Sequence, residues 1–291
     1  MFNGITTILI GYLFLFLMCL CCAVVLFDRV YLNGRLYSKN EYRPWFLQIF
    51  YEALPVLIVI MVIRTYVIQP FSIPSESMYP QLTQGDYLLV NKTSYALKFP
   101  FTNQNLIKLH ELERGKVYVF QYPLDTNTFF IKRLIGKGGD TLRFVEDDLY
   151  INGVKVHRSD ARGNDIPYDL NHRYTYETIN GNTYLIRRGM KKDSEYFNNN
   201  SSFLLIRQNT NKKDGVLIDD ETRRKHDLSI TIPEGYYFFM GDNRNDSSDS
   251  REWGLVGEDL IVGRATRIMI HSIPNSPVLK RFTFERNKAI N

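Results

Sequence analysis

The sequence predicts a mostly β protein, antiparallel in its sheets, preceded by two N-terminal transmembrane helices. Three observations predict it. Two long apolar stretches lie before residue 69. Past Gln69 the helical period disappears, and short β-branched and aromatic runs stand between turn signals. Two Asn-Gly pairs interrupt such runs, where two-residue hairpins need two successive residues at positive φ. With 291 residues, 44% of them hydrophobic, the chain is too apolar to be disordered. Its mean hydropathy of −0.23 averages a polar body with a strongly apolar N-terminal part.

The first apolar stretch, Gly4 to Phe27, carries no charge over 24 residues. At ~1.5 Å per residue it spans ~36 Å, more than the ~30 Å hydrocarbon core of a bilayer. A cleavable leader would have a basic start, a shorter apolar run and a small-residue cleavage site, and this stretch has none of them. The polar segment that follows, residues 29–44, holds Arg29, Arg35, Lys39 and Arg43, and the positive-inside rule places it in the cytoplasm. The second stretch is uninterrupted only from Ala53 to Ile63, a length shared by spans and by core or interfacial helices. It spans if it runs from residue 45 to 68, with Trp45 and Tyr66 at the interfaces and Arg64 snorkelling outward. Everything from residue 69 onward then lies on the outer face of a cytoplasmic membrane.

In the body, Tyr87–Val90, Val117–Phe120, Phe129–Ile135, Tyr236–Met240 and Leu260–Ile270 read as strands. Asn152-Gly153 joins Leu149–Ile151 to Val154–His157, and Asn180-Gly181 joins Tyr176–Ile179 to Thr183–Ile186. From about 158 to 228 the composition turns polar, with Lys191-Lys192, Asn198-Asn199-Asn200 and Asp219-Asp220 around pieces such as Phe203–Ile206. This reads as an inserted, non-catalytic β subdomain whose charge runs are solvated loops.

Several function classes are excluded. A net charge of +5, from 36 basic against 31 acidic residues, is spread along the chain rather than clustered, so nucleic acid is not an expected partner. All three cysteines, Cys19, Cys21 and Cys22, fall in the first apolar stretch, which leaves the body no disulfide and no cysteine metal site. HExxH, GxSxG and P-loop patterns are absent.

Three places could carry chemistry. Ser75-Glu76-Ser77-Met78 lies between Pro74 and Pro80, which keep it out of a helix interior and leave two hydroxyls on a loop. A Ser-rich turn is the other reading of that tetrapeptide. Lys132 stands on an apolar run, Phe130 to Gly136, and points oppositely to Arg133, so one of the two enters an interior or a cleft. A buried lysine loses its proton more easily than a free one of pKa ~10.4 and becomes a possible general base. An edge-strand lysine, kept charged against aggregation, is the alternative. The polar loop Gly241 to Arg251 alternates Asp and Arg, which suits a salt-bridged scaffold; a Ca²⁺ site is the competing reading, without EF-hand spacing. The five histidines, at 110, 157, 172, 226 and 271, fall in none of these places, so a nucleophilic Ser77 needs another base, and Lys132 is the one available.

Together, the paired apolar stretches and the segments Ile73 to Pro80, Gly85 to Val90, Phe130 to Asp140 and Gly241 to Gly254 resemble bacterial signal peptidase I, or leader peptidase, a family of Ser/Lys-dyad serine endopeptidases. The resemblance runs from the first helix through Val262-Gly263-Arg264-Ala265-Thr266 and is weakest across the insert. It implies a membrane-bound enzyme of the cytoplasmic (inner) membrane, with its catalytic domain on the periplasmic face. Its partners would be the lipid bilayer and signal-peptide-bearing preproteins, cleaved after small residues at −1 and −3. Ser77 matches the nucleophile and Lys132 the general base. Ser75 and the Ser77 N–H match the oxyanion hole, and Ser247 matches the serine that orients the lysine. Arg133 with Asp242, and Asp249 with Arg251, match structural ion pairs. Ile73, Met78, Leu82 and Ile131 are candidate walls of the substrate pockets. No metal and no cofactor is expected. Glu76 stands where many members have glycine, and Asn245-Asp246 reverses their usual order. A catalytically silent, membrane-anchored β domain that binds exported proteins is the alternative function.

Overall fold

Helix α1, Gly4–Tyr31, and helix α2, Trp45–Val62, form the first of two units, Asn3–Gln69. The computed structural model describes residues 4–31, 45–98, 105–145, 148–161, 166, 172–189, 227–273, 276 and 281–290. The expected basic loop from 32 onward, and most of the expected insert, including Phe203–Ile206, lie outside the described residues. Two 20-residue windows, Tyr12–Tyr31 and Gln48–Val67, are long and apolar enough to cross a membrane. Pro55 sits inside α2, and a five-residue π turn, Ile63–Val67, follows it. Within this unit the Tyr51 hydroxyl donates to the fully buried Asp28 carboxylate.

The second unit, from Pro70 onward, is built almost wholly of strands. They are β1 (Ile68–Ser72), β2 (Asp86–Asn91), β3 (Ala96–Lys98), β4 (Asn105–Lys108), β5 (Val117–Tyr122), β6 (Asp125–Lys137), β7 (Thr141–Val145), β8 (Asp148–Ile151) and β9 (Val154–Lys155). After them come β10 (His157–Asp160), β11 (Arg173–Ile179), β12 (Asn182–Arg188), β13 (Asp227–Thr231), β14 (Tyr236–Met240), β15 (Val256–Gly257), β16 (Ile261–Ser272), β17 (Phe282–Thr283) and β18 (Lys288–Ala289). A one-turn helix, α3, covers Ser250–Trp253, capped by the Asp249 carboxylate on the Arg251 N–H.

The main sheet runs β1-β2-β16-β5-β6-β14-β15, with β17 and β18 on β16. Its ladders from β2 to β15 are antiparallel, so the expected fold class stands. Smaller sheets are β10-β11-β12, β13-β7-β8-β9 and β3-β4. Both Asn-Gly pairs turn hairpins with positive φ at each residue, 53° and 79° at Asn152 and Gly153, 52° and 77° at Asn180 and Gly181.

Strand β6 positions the site. It lies between β5 and β14, which removes the edge-strand reading of Lys132. Residues Ile131 to Gly136 are all buried, because apolar clusters cover both faces. Ile131 packs with Leu82, Val90 and Val119; Leu134 with Phe120, Phe239 and Trp253; Ile135 with Phe144, Ile186 and Phe238. The sequence expected one of Lys132 and Arg133 to face inward. Both do, at 4% and 0% exposure, since a sheet covered on two faces has no solvent side.

Candidate active site

The segment from Pro74 to Leu82 folds as successive turns rather than a helix. The Tyr79 N–H donates to the Glu76 carbonyl at 2.9 Å, and the Leu82 N–H to that of Met78 at 3.0 Å. Met78 and Leu82, both completely buried, anchor these turns in the core. The anchoring holds Ser77 over β6, where the Lys132 amine hydrogen-bonds to Ser77 Oγ. Ser75 Oγ lies 3.4 Å from the same oxygen. The Ser77 N–H has no acceptor among the described residues and is free to receive an oxyanion.

Burial lowers the pKa of Lys132 to about 8, against the opposing pull of Asp249 and then Asp242. No carboxylate among the described residues bonds directly to its amine, which touches a hydroxyl and lies 5.4 Å from the Phe130 ring centroid. A neutral amine beside a serine hydroxyl is an activated nucleophile in the sense of general-base catalysis.

The loop from Gly241 to Asp249 forms the back wall. The Asn243 N–H donates to the Ser77 carbonyl at 3.1 Å, and its side-chain amide to the Glu76 carbonyl at 3.1 Å. Gly241 is dictated by this approach, since a Cβ there would lie 2.4 Å from the Ser77 carbonyl oxygen and 2.1 Å from Ser247 Oγ. Arg133 forks onto Asp242 at 2.8 and 2.6 Å. Arg251 forks onto Asp249 at 2.8 and 2.7 Å, and Asp249 also accepts from the Gly241 N–H at 2.9 Å. Burial opposes the charge on Asp249, but Arg251 and that N–H outweigh it and hold the carboxyl below its usual range.

Some expected site residues do other things. Ser247 is buried, yet its hydroxyl has no hydrogen-bond partner among the described residues, and no bond joins it to Lys132. The amine is engaged with Ser77 instead. A cavity of about 380 Å³ opens over the dyad, lined by Pro74, Ser75, Glu76, Tyr122, Phe129, Phe130, Ile131 and the loop residues Asp246 and Ser248. Of the four expected pocket walls, Ile131 lines it. Ile73, Met78 and Leu82 belong to the apolar cluster of β2, β5 and β16, because the turns that display Ser77 need their side chains as anchors. Tyr122 and Phe129 had no sequence signal beyond strand aromaticity. Asn243 stood inside the polar loop without a role. No group of three or more acidic, histidine or cysteine side chains among the described residues is arranged to hold a metal, and two of the loop's carboxylates, Asp242 and Asp249, are engaged by Arg133 and Arg251.

The sequence profile of a family described as signal peptidase, peptidase S26, matches residues 46–270. The chain is 32% identical over 243 residues to the signal peptidase I of Buchnera aphidicola subsp. Acyrthosiphon pisum, covering 79% of this chain and 77% of that one. It is 35% identical over 240 residues to the signal peptidase I of Pseudomonas aeruginosa, covering 78% and 74%. It is 33% identical over 224 residues to that of Aquifex aeolicus, covering 74% and 80%.

Proposed function

This chain belongs to the signal peptidase S26 family of serine endopeptidases, and from that premise we propose that it removes signal peptides from exported preproteins by a Ser77–Lys132 dyad. The observation that carries the reading is the hydrogen bond between a buried lysine, its pKa lowered to about 8, and the Ser77 hydroxyl at the floor of an open cavity.

The preprotein lies extended in the cleft, with small side chains at −1 and −3 against shallow apolar walls. Ser77 Oγ attacks the −1 carbonyl carbon while its proton passes to Lys132 Nζ. The resulting oxyanion is received by the Ser77 N–H and by the Ser75 hydroxyl, whose oxygen lies 3.4 Å from Ser77 Oγ. When the C–N bond breaks, Lys132 returns the proton to the departing amine of the mature protein. Lys132 then takes a proton from water, whose oxygen attacks the acyl carbon, and as the bond to Ser77 Oγ breaks Lys132 gives that proton to Ser77, which frees the signal peptide with a C-terminal carboxyl. None of these steps calls for a metal or cofactor.

Residues 1–28 and 45–68 cross the membrane, residues 29–44 face the cytoplasm, and the chain from 69 to 291 works on the outer, periplasmic face, with an inserted subdomain at about 158–228. The positive charge of the connecting loop supports this orientation.

The test is cleavage of a purified preprotein with an Ala-x-Ala site, in detergent, by wild type, Ser77→Ala and Lys132→Ala, with product ends read by mass spectrometry. Cutting by wild type alone, after the −1 alanine, is expected. Equal cutting by all three overturns the dyad; cutting by none overturns the peptidase reading and favours a silent binding domain.

A further inference from the structure

A second buried charged site stands behind the dyad, on the hairpin β11–β12. The Asn180-Gly181 turn fixes its register, so Glu177 pairs directly with Tyr184. The Glu177 carboxylate is wholly buried and accepts the Tyr184 hydroxyl at 2.7 Å, Arg158 Nε at 2.7 Å and Arg244 Nη1 at 3.0 Å. Burial works against its charge, and Arg244 and Arg158 overcome it, keeping the carboxyl ionised far below the usual carboxylate range.

Building on the Ser77–Lys132 reading, we infer that Glu177 is a positioning residue for both halves of the dyad, reaching Ser77 through Arg244 and Asn243, and Lys132 through Tyr184 and Arg133.

The first path leaves Glu177 by Arg244. That residue directly follows Asn243, whose N–H and side-chain amide hold the carbonyls of Ser77 and Glu76. The Arg244 carbonyl accepts from Arg251 Nη2 at 2.6 Å, so one residue joins Glu177 to the Arg251–Asp249 pair as well. Strand β12 fixes the loop's backbone alongside. The Arg187 N–H donates to the Asp242 carbonyl and the Arg244 N–H to the Arg187 carbonyl, each at 2.9 Å, while Arg187 Nε donates to Asn243 Oδ1 at 3.0 Å. Glu177 adds a charged anchor below this ladder.

The second path leaves by Tyr184. Its ring lies under the Arg133 guanidinium, 3.6 Å from the centroid, while its hydroxyl is tied to Glu177. Arg133 follows Lys132 on β6 and grips Asp242. A rotation of Tyr184 would therefore be felt at the strand position next to the general base. Arg158 offers an internal control. It binds the same carboxylate from β10 and is not one of the links, Arg244 with Asn243 or Tyr184 with Arg133, that lead to the dyad.

The experiment measures kcat and KM on the Ala-x-Ala preprotein, with thermal melts, for the full-length wild type, Glu177→Gln, the double variant Glu177→Gln with Arg244→Met, and Arg158→Gln. Glu177→Gln should lower kcat at least tenfold with KM within threefold. The double variant leaves Arg158, 11% exposed, as the one guanidinium that loses this carboxylate, so it should melt nearer to wild type than Glu177→Gln does, yet keep the depressed kcat. Arg158→Gln should stay within twofold in kcat. Recovery of kcat together with the melting temperature in the double variant, or an equal loss in Arg158→Gln, would overturn the positioning role. If Glu177→Gln does not fold, the double variant decides alone: kcat tenfold down supports the inference, and wild-type kcat sinks it. A wild type that does not cut at all brings down the peptidase reading itself, and the inference with it.

Discussion

Lys132 and Glu177 are both ionisable side chains buried in the β unit, and they are treated in opposite ways. Glu177 is surrounded by two guanidinium groups and a tyrosine hydroxyl, so burial fails to neutralise it. Lys132 is given a serine hydroxyl and an aromatic face, with its carboxylates held one step away on Arg133 and Arg251, and burial prevails. Depth alone does not decide protonation; the nearest partner does. The fold thus keeps one ion charged to hold a loop in place and leaves the other poised to give up its proton for chemistry.

The largest effect that tests this contrast is Lys132→Met. Loss of the general base should reduce kcat by about 10⁴-fold. Stability should move the other way. The folded pKa of about 8 lies below the ordinary 10.5, so below pH 8 both folded and unfolded chains carry the proton and the folded state bears the whole burden of a buried cation. Between about pH 8 and 10.5 only the unfolded chain keeps it, and the burden lifts. The methionine variant should therefore be more stable than wild type at pH 7, by up to about 3 kcal/mol, with the advantage fading by pH 10.5. The same titration should make wild-type kcat/KM rise with pH, reach half its plateau near 8 and level off above it. A methionine variant less stable than wild type at pH 7 would erase the distinction between the two sites.

Arg133→Met sharpens the contrast on the adjacent residue. Arg133 is as buried as Lys132, but it has Asp242, the Gly115 carbonyl at 2.5 Å and Gln81 as partners. Removing it strands the Asp242 carboxylate, which should lower stability by about 3–5 kcal/mol in urea melts at pH 7. Two neighbours changed to the same side chain would then shift stability with opposite signs.

A smaller effect isolates position from charge. Gly241→Ala adds one methyl where the Ser77 carbonyl and Ser247 leave no room. Displacing the nucleophile by a fraction of its hydrogen-bond length, with every charge intact, should reduce kcat by about 10²-fold and leave KM near wild type. A kcat within twofold of wild type would mean that the back wall tolerates movement, and the argument for Glu177 as a brace would weaken with it.

How much of this was legible in the sequence follows from how far each signal reaches. Local signals read well: Tyr236–Met240 is a strand with the expected bounds, and both Asn-Gly turns are where the dipeptides stand. Opposite facing of Lys132 and Arg133 was legible, but not that both faces are covered, because alternation says which side a residue takes and not what packs there. The placement of β16 between β2 and β5 joins segments far apart in sequence, and no local pattern encodes it. Ile73, Met78 and Leu82 looked like pocket walls since they flank the serine; their burial as anchors depends on β2 and β16 beneath them. Glu177 had a usable signal. It shares a face with Ile179, and the turn sets it opposite Tyr184, so an acid was visible on the apolar side of a hairpin, although Arg244, the partner that links it to the loop, lies 67 positions away.

Glu76 provides the smallest effect and a boundary for the comparison. Its side chain is exposed at the cavity rim beside the nucleophile, and no described residue pairs with its carboxylate. An unburied charge is screened by water, and Glu76 is not among the groups that set the Lys132 pKa. Its backbone carbonyl carries the structural duty by accepting from Asn243 and Tyr79, and any residue supplies a carbonyl. Glu76→Gly should therefore leave kcat within tenfold, a barrier change below about 1.4 kcal/mol, and should leave the rise of kcat/KM near pH 8 unmoved. A displaced pH profile would mean that an exposed carboxylate reaches the buried amine, and depth of burial would no longer separate the charges that tune this dyad from those that merely border it.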